Sequence, residues 1–104
     1  MSDHFVWNER LGIYLPSLAM AWEQYDHCVQ TAIIERWELI RGSIPERIIE
    51  LERFINRKQT ELNDEENFER SCLLTYEIAE YASRINELHI WYRMNQELES
   101  RRHS

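Results

Sequence analysis

The chain has 104 residues, 43% of them apolar and 12% aromatic, which suits one domain with a modest core and is too apolar for a disordered protein. Its formal charge of −7 opposes nonspecific binding to nucleic acid or to an anionic membrane, since both are held by clustered Lys and Arg. No stretch approaches the roughly 18 uninterrupted apolar residues of a membrane span. The start Met1-Ser2-Asp3-His4 has no export signature, and Cys28 and Cys72 form no CxxC pair, so a single cytoplasmic domain over residues 1–104 with reduced thiols is expected.

Residues 1–15 read as an N-terminal arm, either extended or forming a short helix from Asp3 that is capped by Ser2 or Asp3 and stopped by Gly12. Phe5, Trp7, Leu11, Ile13 and Leu15 give this arm enough apolar surface to lie on the body of the protein. Pro16 suits the first turn of a helix, and at 100° per residue the segment 16–41 gathers Leu18, Trp22, Tyr25, Val29, Ile33 and Ile40 on one arc. Arg36 falls inside that arc, where its stem can pack while its guanidinium reaches a carboxylate or an anion.

The sharpest break in the chain is Arg41-Gly42-Ser43-Ile44-Pro45-Glu46. Gly42 is placed to close one helix in the left-handed conformation, and Ser43-x-x-Glu46 has the spacing of a capping box for the next. A second helix is expected over 44–62, with a narrower stripe through Ile44, Ile48, Leu51, Phe54 and Ile55. Asn63-Asp64-Glu65-Glu66-Asn67 supplies capping residues and acidic first-turn residues, so a turn is preferred there to one continuous helix from Ile44 to Ser100. The last helix, 64–100, spans about 50 Å at 1.5 Å per residue, against about 28 Å for the second. A frayed tail, 101–104, follows.

The last helix is apolar over much of its circumference. Leu74, Ile78, Tyr81, Ile85, Leu88 and Tyr92 form one stripe, while Leu73, Trp91 and Met94 lie apart from it. Such a helix is central in a bundle or shared between subunits. The expected fold is therefore an all-α antiparallel bundle of three main helices (16–41, 44–62, 64–100), completed by homodimerisation. Trp37, Leu73, Tyr76, Leu88, Trp91, Tyr92 and Met94 are the candidate interface, and Arg36, Asn86 and His89 a candidate buried polar site.

Chemistry finds little footing in these residues. Glu23 and His27 are spaced i, i+4 but fall on a solvated face, and neither half of the inward carboxylate pattern of di-iron bundles is present. The chain has only two glycines, both assigned to helix ends, so a phosphate-cradling loop is not expected. The arginines of the second helix alternate with glutamates rather than forming the basic face of a DNA reader. No catalytic residue, metal or cofactor is assigned. The function expected is protein–protein interaction, as an adaptor or regulator that pairs with itself or with another protein. Two other readings stay open: an acidic inhibitor using Glu61, Asp64, Glu65, Glu66 and Glu69 to occupy a basic site of a nucleic-acid-binding protein, and a helical-bundle enzyme or ligand-binding protein using Arg36 and His89.

Overall fold

The computed structural model describes residues 4–103, with side chains through Met94. The chain is mostly helical, with three helices, α1 (His27–Gly42), α2 (Ile44–Asp64) and α3 (Phe68–His103). A two-stranded sheet precedes them, β1 (Phe5–Asn8) antiparallel to β2 (Ile13–Pro16), with Phe5 opposite Pro16 and Asn8 opposite Ile13.

The hairpin corrects the short helix expected before Gly12. Phe-Val-Trp and Ile-Tyr-Leu are aromatic and β-branched runs that suit a half-buried pleat. Gly12 supplies the positive φ, 72°, that turns the chain, and its N–H donates to the Asn8 carbonyl at 2.8 Å. The Asn8 side-chain oxygen accepts a second bond, from the Leu11 N–H at 2.9 Å.

Pro16 ends β2 instead of opening a helix, so α1 begins at His27 rather than at residue 16. The intervening segment is irregular apart from a single 3₁₀ turn, Trp22–Gln24. It is tied down by the Tyr25 hydroxyl, which accepts from the N–H groups of Ala19 and Met20, and by Gln30, whose amide donates to the Trp22 carbonyl at 2.8 Å.

At the break between α1 and α2, Gly42 stays helical and Ser43 lies in the right-handed region (φ −87°, ψ −11°). The left-handed cap and the capping box expected there are both absent: the Ser43 hydroxyl donates back to the Ile40 carbonyl at 2.6 Å. Pro45 cannot donate to the carbonyl of Arg41 one turn before it and crowds that carbonyl, which bends the chain without reversing it. Helices α1 and α2 are therefore two arms of one bent helix. Contacts run antiparallel along α3 from one arm into the other: Trp37 with Trp91, Arg41 with Tyr92, Phe54 with Tyr81, Lys58 with Glu77 and Glu61 with Arg70.

The turn expected between the second and last helices is present, at residues 65–67. Asn67 caps α3 by accepting from the Arg70 N–H at 2.9 Å, so α3 starts at Phe68 and not at residue 64. At its other end α3 continues through His103, beyond the point where fraying was expected.

The core lies where the bend meets α3. Phe5, Leu11 and Ile13 of the hairpin close over Ile33, Trp37 and Ile40 of α1, Ile44 and Leu51 of α2, and Leu88 of α3. Arg10 straps the hairpin to α3 by donating to Glu80 at 3.1 Å and Ser83 at 3.0 Å and by pairing with Glu87. Arg47 of α2 donates to the Leu11 carbonyl at 3.0 Å. The molecule measures 59 × 24 × 18 Å, and its radius of gyration of 18.0 Å exceeds the roughly 13 Å of a compact chain this long. A rod of two helical layers has too little interior to shelter every apolar side chain it carries.

Candidate functional site

Two apolar surfaces remain open on this frame. The first follows from the bend. Helix α3 packs closely on α2 but sparsely on α1, and the space between them is a groove of about 160 Å³. Pro16, Leu18 and Trp22 form one wall, Ile33, Ile34 and Trp37 of α1 another, and Trp91 and Met94 of α3 the third. The indoles of Trp37 and Trp91 meet edge to face, 5.8 Å between centroids, and so fix one side of the groove. No titratable side chain lines it. Glu23 follows Trp22 and Glu38 lies one turn beyond Ile34; both are exposed and neither has an ion pair among the described residues.

The second surface is the side of α3 turned away from α2. At 100° per residue, Phe68, Cys72, Tyr76, Ala79, Ser83, Asn86, Ile90 and Met94 share this face, and all are exposed. Phe68 is 80% exposed, Tyr76 67%, Ile90 42% and Met94 40%. From Cys72 to Met94 the face carries no carboxylate, although the chain holds 19 Asp and Glu residues. The carboxylates of this stretch lie on the flanks, where Glu77 pairs with Lys58 at 2.7 Å and Glu80 and Glu87 engage Arg10. The Glu77 carboxylate accepts a hydrogen bond from the Lys58 ammonium and so raises the lysine pKa above its usual value. Acidity concentrates instead at the tip of the rod, in Asp64, Glu65, Glu66 and Glu69, with Glu61 3.7 Å from Arg70 beside them.

The residues singled out in the sequence divide between surface and core. Leu73, Tyr76 and Met94 are exposed, and Trp91 and Tyr92 half-buried. Trp37 and Leu88, expected at an interface, are buried in the chain's own core, because the β-hairpin covers that level of the rod. Arg36, Asn86 and His89, expected to form a buried polar site, are all exposed. Arg36 sits over the Tyr14 ring, 6.0 Å from its centroid, while His89 borders a shallow recess with Pro45, Ile48, Ile49 and Tyr92. With α1 and α2 in line, no third helix packs against α3 to enclose them. The groove wall at Pro16, Leu18 and Trp22 was hidden in the sequence because its spacing also fits a helical arc.

Among the described residues no group of three or more His, Cys, Asp or Glu side chains is arranged to hold a metal ion, and no helix is long and apolar enough to cross a membrane. No family model matches the chain, and no curated protein or solved structure matches it either.

Proposed function

We propose that this is a non-enzymatic interaction protein of the cytoplasm, an adaptor or regulator that works as a homodimer through the outer face of α3. The observation that carries this reading is the run of exposed Phe68, Tyr76, Ile90 and Met94 along a face free of carboxylates from Cys72 to Met94. Single exposed apolar residues are ordinary on a protein surface, but several on one side of a helix favour a contact site. A large apolar side chain gains about 1.5–3 kcal/mol when fully removed from water. With both copies contributing, that gain is of the same order as the roughly 4–15 kcal/mol that association costs. The groove, whose walls bear only carbon-rich side chains, offers a further contact surface suited to apolar side chains and not to acid–base chemistry. Light scattering across a dilution series from about 100 to 1 μM tests the reading: a mass of two chains that falls toward one on dilution is expected. A single-chain mass throughout would reject it.

A further inference from the structure

The groove between α1 and α3 has a size and a wall chemistry that together restrict what it can hold. Its volume of about 160 Å³ is close to the roughly 150 Å³ of an engineered apolar cavity that takes up benzene. Pockets for cofactors and drug-sized ligands are larger, about 300 to 1,000 Å³. A partner helix sets down a row of side chains at i, i+3, i+4 and i+7, whereas this groove has room for little more than one ring. Apolar side chains suit the walls, but the size narrows the occupant to a free molecule. We infer that the groove is a binding site for a small, uncharged aromatic molecule of one ring or two fused rings.

The walls favour an aromatic occupant over other apolar ones. Each of the three carries a tryptophan: Trp22 in the segment before α1, Trp37 in α1 and Trp91 in α3. A bound ring can meet such side chains stacked or edge to face, which adds to the gain from burying area alone. An ionised ligand is disfavoured, since no titratable side chain lines the groove to replace its lost hydration. Water competes poorly there too, because an ordered water needs several polar partners. The walls are also held in place. Trp37 and Trp91 fix each other edge to face at 5.8 Å. The irregular segment bearing Leu18 and Trp22 is fastened by the Tyr25 hydroxyl, which accepts from the Ala19 and Met20 N–H groups at 3.1 and 3.3 Å, and by Gln30, which donates to the Trp22 carbonyl at 2.8 Å. A ligand entering walls already ordered does not bear the entropy cost of ordering them.

Toluene is the probe, and tryptophan emission excited beyond the absorption of toluene is the readout. Three of the four tryptophans line the groove, and the fourth, Trp7, lies on the hairpin. A saturable change with a Kd below about 1 mM is expected. Benzoate, which adds a charge, and N-acetyl-phenylalaninamide, which carries the same ring on a peptide backbone, should each bind at least tenfold more weakly. Ile34→Phe and Leu18→Phe fill the groove from two different walls. Each, with its helical circular dichroism retained, should lose at least tenfold in affinity for toluene, while Ile49→Phe at the separate recess beside His89 should lose none. The groove lies within one chain, so these results do not depend on whether copies pair. A titration of wild type without saturation, or filled variants that bind as wild type does, would overturn the site. Benzoate binding as tightly as toluene would overturn the uncharged class, and N-acetyl-phenylalaninamide binding as tightly would make a partner's side chain the occupant and overturn the free molecule.

Discussion

The two glycines of this chain do opposite work, and only the structure separates them. Gly12 holds a φ of 72°, and a Cβ added there would come within 2.6 Å of the Arg47 guanidinium, which is occupied with the Leu11 carbonyl. Gly12→Ala is expected to lose about 1–2 kcal/mol from the left-handed strain alone, measured by urea unfolding. Gly42 is helical and has open space where a Cβ would go. Gly42→Ala is therefore expected to gain about 0.5–1 kcal/mol, whereas a left-handed cap would make the same change destabilising. The sequence marked both residues as helix ends, because glycine is common at such ends and nothing local reveals the sign of φ. Trp37 is a similar case. It was expected at an interface, yet it is buried in the core cluster it shares with Phe5, Leu11 and Ile13 of the hairpin. Trp37→Ala should cost about 3–5 kcal/mol in the same assay.

At the scale of elements, the breaks at Ser43 and at residues 65–67 were legible because Pro45, Asn67 and the intervening glutamates act on the backbone locally. The direction taken after a break was not. Nor was the hairpin, whose loop Glu9-Arg10-Leu11-Gly12 lacks the Asn-Gly or Asp-Gly signal of a tight turn. Pairing of α2 with α3 includes an ion pair whose pH dependence can be read. Because the Glu77 hydrogen bond raises the Lys58 pKa above 10.5, its contribution is full below that value and is lost as pH rises through the folded-state pKa. Between pH 9 and pH 12 the melting temperature of wild type should fall more steeply than that of Lys58→Met, by thermal denaturation followed at 222 nm.

Over the whole molecule, an elongated frame explains why a chain of this composition leaves apolar surface open. The expectation of a last helix too long for its neighbours does not hold, because α3 is matched in length by the bent pair α1–α2, yet its side facing away from them still carries exposed apolar residues. With −7 on each copy, long-range repulsion opposes pairing although the contact face itself is free of carboxylates from Cys72 to Met94. Raising salt from about 50 to 500 mM should therefore lower the dimer Kd several-fold, because screening removes the repulsion and spares the apolar contact.

Sedimentation equilibrium of wild type beside Tyr76→Glu/Ile90→Glu shows whether two copies meet through the outer face of α3. Both positions are exposed, so the variant is expected to keep its helical circular dichroism. Wild type should sediment with the mass of two chains and the variant with the mass of one. A monomeric wild type, or a folded variant that dimerises as tightly as wild type, would contradict the outer face of α3 as the contact surface.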